Sequence, residues 1–439
     1  MSFFAPVSTP VLAEGYTPVL RRAFDQVRRV GNYALVQMGV QLLAFASGIL
    51  LVRWLPQREY AYFTIANAMQ ATLNLLADIG ISIGLISIGG RVWQDRHRFG
   101  ELINTGLSVR RKLAAAAIII VAPILYAMLA RNGASLFYAM LLIAVVLAGF
   151  ALQLSIDVFS VVPRLKSDIG KIQTIDFTCA TVRLLLVVGL VYLFATAGLA
   201  VAIASFTFFL QYLLLRSYAA KAVDLSATEN PQDRQEITRL IRKLAANALF
   251  YCFQGQITVF LISFFGRQTA SVAEVGALGR LAMIFTVVTN MLTNVFVPAF
   301  ARCQEKGKLR RLYLLIGGGV GLFSAAVLGA AAFFPDAFLF VLGNRYTHLH
   351  RELLLMVGAA IVTAFGATLW LLNASKAWIE GAWLYIPLTL VTQFALIPFT
   401  DFSSVSGVLI FNLISAVPSV LLNLVLSYRG FRRFASAVG

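Results

Sequence analysis

Charge is what this chain is short of. Only 13% of its 439 residues are charged, against about a quarter in a soluble domain, while 59% are hydrophobic. Histidine is limited to His97, His348 and His350, and cysteine to Cys179, Cys252 and Cys303. Three widely spaced cysteines exclude a disulfide framework and a thiolate metal site. Two histidines fall together in Tyr346-Thr347-His348-Leu349-His350, but no carboxylate or cysteine joins them at ligand spacing, so no metal is expected. A nucleotide-binding loop is absent too: Gly317-Gly318-Gly319 and Gly321 are followed by no Lys-Ser/Thr pair and read as small-residue helix packing. No cofactor is expected. Acidic residues number 19 against 36 Lys and Arg, a formal net charge of +17. In a soluble protein that balance would suggest nucleic acid. In a chain this apolar the placement of the charges matters more, and no nucleic-acid partner is expected.

What the chain has in abundance is apolar runs of membrane length. About twelve occur, at 32–52, 61–90, 113–130, 135–160, 174–195 and 197–218, then, after a polar stretch at 221–243 containing Asn230-Pro231, at 245–266, 275–300, 312–334, 353–374, 378–399 and 404–427. The expected fold is an all-α polytopic membrane protein, with about 12 transmembrane helices in two six-helix lobes around a central cleft and both termini cytoplasmic. The expected layout is a tail at 1–31, a first lobe at 32–219, a cytoplasmic linker at 220–243, a second lobe at 244–427 and a tail at 428–439. Loop charge supports this count. With both ends inside, about 28 of the 36 Lys and Arg fall in inner segments, and the outer loops share about six: Arg53, Arg58, Arg131, Arg267, Arg345 and Arg351. The outer loops are short, which excludes a catalytic domain there. Pro6, Pro10 and Pro18 interrupt the first residues, and Arg21, Arg22, Arg28 and Arg29 follow the apolar part. That order is expected of a cytoplasmic tail ending in a surface-lying amphipathic segment, and not of a secretory signal.

Four of the runs carry polar stripes. Asn67, Gln70, Asn74, Asp78 and Ser82 recur at spacings of three and four, which places them on one helical face. An Asp at the centre of a lipid-facing helix costs about 2.5–3.5 kcal/mol, so the stripe must face other helices or water. The first run has Tyr33, Gln37, Gln41 and Gly48, the seventh Asn247, Tyr251, Gln254 and Thr258, and the eighth Thr286, Asn290 and Asn294 below Arg280. Asn and Gln often only join helices, but four stripes at matching places in two halves suggest the lining of one hydrated, substrate-binding cleft. The intramembrane charges sharpen this. Arg280 and Asp78 lie on cleft helices, and an Arg suits a phosphate through its planar donors, as Gln and Asn suit sugar hydroxyls. Asp78 is the candidate ion-coupling group. Arg183, with Asp176 two turns away and Asp157 on the fourth run, forms either a structural ion pair or a functional charge group.

The run Leu51-Val52-Arg53-Trp54-Leu55-Pro56 through Glu59-Tyr60, then Ala77-Asp78-Ile79-Gly80-Ile81-Ser82, resembles the polysaccharide-exporter flippases of the multidrug/oligosaccharidyl-lipid/polysaccharide superfamily. Glu274-Val275-Gly276 with Arg280, and Val297-Pro298-Ala299-Phe300-Ala301-Arg302, are similar to that family's eighth helix. The family's Gly after the acidic-Tyr pair is Ala61 here, and its Gly-x-Tyr reads Gly276-Ala277-Leu278. The resemblance implies a multi-pass flippase of the bacterial inner membrane, not an enzyme. Such a protein moves an undecaprenyl-pyrophosphate-linked oligosaccharide between leaflets for surface polysaccharide, lipopolysaccharide or exopolysaccharide synthesis. Its implied partners are membrane lipids, a proton or sodium ion, and other glycan-assembly proteins. Two other functions compete. A drug or cation antiporter of the same superfamily predicts more acidic than basic residues in the cleft. A membrane glycan polymerase or acyltransferase needs a large outer loop or a buried histidine, and the three histidines here fall in loops.

Overall fold

The structure, a computed structural model, describes residues 18–166 and 168–436; the side chains of 18–34, 169, 294, 295, 298 and 434–436 lie outside that description. It is all-helical among the described residues. The first half holds α1 (Pro18–Trp54), α2 (Gln57–Asp78), α3 (Ile81–Val92), α4 (Arg96–Arg131), α5 (Leu136–Leu165), α6 (Ile169–Leu186, continued by a π-helical turn at Val187–Val191) and α7 (Ala197–Ala222). The second holds α8 (Pro231–Phe265), α9 (Thr269–Ala282), α10 (Ile284–Met291), α11 (Val297–Arg302), α12 (Lys306–Phe333), α13 (Pro335–Leu342), α14 (His350–Ser375), α15 (Tyr385–Leu396) and α16 (Val405–Ser436). Among the described residues eleven helices are long and apolar enough to cross a membrane, and counting α2 with α3, bent by 44°, as one broken span gives twelve. The expected count of about twelve holds.

Local sequence explains the breaks. The Asp95 carboxylate accepts from the backbone N–H of His97 and Arg98 and starts α4. Asn230 does the same for Gln232 and Asp233, with Pro231 at the first helical position, so α8 starts there. The bend after α2 is set by Gly80, whose φ of 82° only glycine adopts freely. Asp78 closes the gap by accepting from Ser82 N at 3.2 Å and Ser82 Oγ at 2.7 Å. The eighth span is segmented: Pro298 cannot donate to the preceding turn, and a π-helical turn at Leu292–Phe296 lies just before it.

Two expectations change here. Residues 18–31, expected as a surface-lying segment, are continuous in helix with the first span; residues 1–17 lie outside the described residues. The linker stretch at 231–243 likewise belongs to α8, not to a separate segment. Linker residues 223–230 fold back onto α4. Asn104 donates to the carbonyls of Leu225 and Ala227, and hydrogen bonds from Ser226 and His97 hold the Asp224 carboxyl down at about 2. Arg98 clamps Asp233 through two bonds of 2.6 Å, which fixes the start of α8 against the start of α4.

Within the first half, α5 packs on α7, α2 on α4 and α1 on α6; within the second, α14 packs on α16 and α12, and α15 on α16. The halves meet where α2 contacts α8 and α9. The glycines of α12 do not serve this packing. A Cβ added at Gly317, Gly318, Gly319 or Gly321 would meet nothing within 4 Å, which corrects the expected small-residue helix contact. Each therefore only weakens its helix. Replacing Gly317, Gly318 and Gly319 with Ala is expected to stabilise the protein by about 0.5–1 kcal/mol per site, read as a raised midpoint of thermal unfolding in detergent.

Candidate functional site

The two lobes are joined tightly at the end that carries few charges. Arg53 of α1 donates to the carbonyls of Val341 (2.9 Å) and Phe340 (2.5 Å) in α13, and Arg345 donates to the carbonyl of Leu55 at 2.7 Å. Nearby, Thr269 donates to the carbonyl of Asn132 and Asn132 to that of Ser263. Two turns into α9, Gly276 lets Thr64 of α2 approach so closely that a Cβ would lie 2.3 Å from its Oγ1. Toward the basic end the halves are joined through α8, by the Arg98 clamp on Asp233 and by the close approach of Leu244 to Gly80. Leu35, Met38 and Leu42 of α1, Asn67 of α2, and Ile284, Thr286 and Met291 of α10 are exposed.

Arg280 lies at the junction of the lobes. It reaches from α9 into the first lobe, where its Cδ lies 3.2 Å from where a Cβ on Gly48 would sit. Its Nε lies 3.4 Å from the Tyr60 hydroxyl, and its guanidinium sits 5.8 Å from the centre of the Phe63 ring. Arg183 of α6 is within electrostatic reach of it. Neither arginine forms an ion pair with a carboxylate among the described residues.

The residues anticipated from sequence divide into two sets. Gln37 and Gln41 lie eleven and seven residues before Gly48, hence on its face of α1, half-buried. Asn67 lies seven residues after Tyr60 and shares the face that meets Arg280. Gln70, Asn74 and Gln254 each bond within their own lobe. Gln70 donates to Gln153 of α5 at 3.1 Å and Asn74 to the same oxygen. Gln254 exchanges two bonds of 3.0 and 2.9 Å with Gln393 of α15. Asn290 is half-buried and makes an interaction of its own, and the side chain of Asn294 lies outside the described residues.

The charged groups pair differently from expectation as well. Asp157 does not meet Arg183; it accepts from Arg110 of α4 at 2.5 Å, and Arg110 also lies 3.5 Å from Asp78. Arg110 is 1% exposed and its Nε has no partner. Asp176 accepts from Gln211 of α7 at 3.0 Å. It lines, with Cys179 and Arg183, a first-lobe cavity of about 170 Å³. The alternative of an Arg183 ion pair with either aspartate is therefore not realised.

Several partners escaped the sequence reading. Arg110 read as part of the basic Arg110-Arg111-Lys112 flank; the available signal was its position seven residues after buried Ile103, on the apolar face of α4. Gln153, Gln211 and Gln393 sit alone in apolar runs and carried no periodic signal. Glu59, in the acidic-Tyr pair, accepts from the Tyr138 hydroxyl (2.5 Å) and the Ala197 N–H (2.7 Å), which ties three helices at the sparsely charged end.

No family model and no curated protein matches the chain. Solved structures do. An inward-facing multidrug resistance MATE family transporter of the MOP superfamily aligns over 92% of this chain and 98% of its own, with TM-score 0.68 and 16% identity. The fold is that of the MATE transporters. The eukaryotic MATE transporter AtDTX14 aligns over 96% of this chain and 99% of its own, at TM-score 0.64 and 15% identity. A MOP superfamily transporter from Pyrococcus furiosus, for which reverse polarity of the binding pocket suggests a different function, aligns over 94% of this chain and 96% of its own, at TM-score 0.58 and 16% identity. At such identities the likeness is one of architecture: a multi-pass helical membrane fold spanning nearly the whole of each chain.

Proposed function

We propose that the chain is a membrane transporter, not an enzyme, that moves an organic solute through the space between its lobes by alternating access. One observation carries the reading: two helical lobes meet where α2 packs on α8 and α9, and Arg280 reaches from α9 across that junction to Tyr60, Phe63 and Gly48 of the first lobe without a carboxylate partner among the described residues. With no nucleotide-binding motif, the drive comes from an ion gradient or from the solute's own. One charge crossing the membrane gains about 2.3 kcal/mol per 100 mV. Asp78 couples an ion only if its contact with Arg110 opens during the cycle.

Two identities for the solute compete. Drug or organic-cation antiport has the better support from the comparisons, since the neighbours are MATE transporters and one is named for multidrug resistance. The flipping of a polyprenyl-pyrophosphate-linked oligosaccharide across a bacterial inner membrane is favoured by one feature of this chain. Arg280 places a positive charge at the lobe junction with no carboxylate partner among the described residues, which attracts an anion such as pyrophosphate and repels a cation. The glycan would occupy the polar gap and the polyprenyl tail the lipid. Expression in a pump-deficient strain and flipping of fluorescent lipid-linked oligosaccharide in proteoliposomes separate them. Raised drug tolerance with no flipping supports antiport, flipping with unchanged tolerance supports the glycolipid, and neither activity sinks the transporter reading.

A further inference from the structure

A second cavity lies away from the arginines, wholly inside the second lobe. It is enclosed by α8, α14, α15, α16 and the turn before α15, and has a volume of about 340 Å³. That falls within the range of about 300–1,000 Å³ usual for small-molecule sites. No residue lining it is charged. In a chain with 36 Lys and Arg, that sets this cavity apart from the interlobe site.

The lining combines aromatic faces with unpaired polar groups. Tyr251 of α8 stacks on Tyr385 of α15, ring centres 5.6 Å apart and 17° from parallel, which braces one wall. Trp370 of α14 lines the cavity, is 39% exposed and stacks on no other ring among the described residues. Ser415 of α16 is 4% exposed, and its hydroxyl has no hydrogen-bond partner, not even the carbonyl one turn back that serines in helices commonly use. Asn412 and Ser419, on the same helix, and Thr363 on α14 also make no side-chain hydrogen bond among the described residues. Gln254 is held by Gln393, and the reciprocal pair uses only one N–H and one lone pair of each amide, leaving the other donor of Gln254 for the cavity. The space is kept open at Gly255, where a Cβ would meet nothing within 4 Å.

These features select a ligand chemistry. An ion would enter without a counter-charge, which burial penalises heavily. An acyl chain would leave the Ser415 hydroxyl and the Asn412 amide unsatisfied. A neutral ring with C–H faces and a rim of hydroxyls satisfies both halves of the lining, stacking on Trp370 while Ser415, Asn412, Ser419 and Gln254 meet the rim. We propose that the second lobe contains a binding site for a neutral sugar ring. Its role in transport rests on the oligosaccharide version of the function proposed above; its binding chemistry does not.

The test is equilibrium binding to the full chain in nanodiscs, with no transport required. The probes are maltotriose, methyl α-mannopyranoside and N,N′-diacetylchitobiose, with tetraphenylphosphonium as a cationic comparator, followed by calorimetry and indole emission. Saturable binding of at least one sugar is expected. Trp370→Leu and Asn412→Ala should each weaken it about tenfold or more, and Gly255→Leu, which fills the open space, should abolish it while the thermal unfolding midpoint stays unchanged. The proposal is overturned if no sugar binds saturably, if all three variants bind sugar as the parent does, or if tetraphenylphosphonium is what Gly255→Leu displaces. Failure of the transport reading is scored separately, by the proteoliposome assay.

Discussion

Arg280→Met is expected to change transport in a direction that names the solute's charge. Arg280 is already oriented: the Phe63 ring, the Tyr60 hydroxyl and the close approach of Gly48 hold its guanidinium at the junction of the lobes. A positioned donor of this kind makes a charge-assisted hydrogen bond to an anion, a contribution of about 1.5–3 kcal/mol, or roughly 10- to 100-fold. For an anionic lipid-linked solute, kcat/KM in proteoliposomes should fall by that factor, and Arg280→Lys should recover only part of it, because an ammonium lacks the planar fork. For an organic cation the same Met variant removes a repulsion, and transport should hold or rise. Gly48→Ala supplies a control that keeps the charge and displaces it, since the new Cβ lies within 3.2 Å of the arginine side chain. It should weaken an anionic solute less than Met does. An Arg280→Met variant that left both anion and cation transport at the parental rate would remove the arginine from the pathway.

Arg110→Met is expected to destabilise the protein more than any surface change. The side chain is buried between Asp78 and Asp157, which it holds at 3.5 and 2.5 Å. Removing one partner of a buried charge pair costs about 3–5 kcal/mol, because the remaining charge stays unpaired. Here two carboxylates are left facing each other, but they are 36% and 46% exposed and recover some hydration, so about 2–4 kcal/mol is the expected loss. The measurement is the unfolding midpoint in detergent. The triple variant Arg110→Met, Asp78→Asn, Asp157→Asn should regain most of the loss, since it removes the charges along with their counter-charge. If the triple variant is no more stable than the single one, the network is not what holds these helices.

The sequence made some features legible and hid others, for physical reasons. Spans were readable because lipid demands about twenty apolar residues in a row, and the interruptions fall at Gly80 between α2 and α3 and in the segmented eighth span before Pro298. The polar stripes were readable as stripes, yet their direction was not. Asn67 and Asn74 are one heptad apart, but Asn67 is exposed while Asn74 donates to Gln153. The choice depends on a lone glutamine on α5 whose own run gives no sign of a partner. Arg183 illustrates the converse: sequence proximity offered Asp176, and the fold gave that carboxylate to Gln211. Helical periodicity constrains which residues share a face, and the neighbour that face meets is a property of the packing.

The unbroken course of α8 has a mechanical consequence. Its 35 residues make a rod about 52 Å long with no internal break. It is tied to the first half near both ends, by the Arg98 clamp on Asp233 and by Asn132 on the Ser263 carbonyl. A stiff strut fastened at its two ends transmits a displacement of one lobe to the other along its full length.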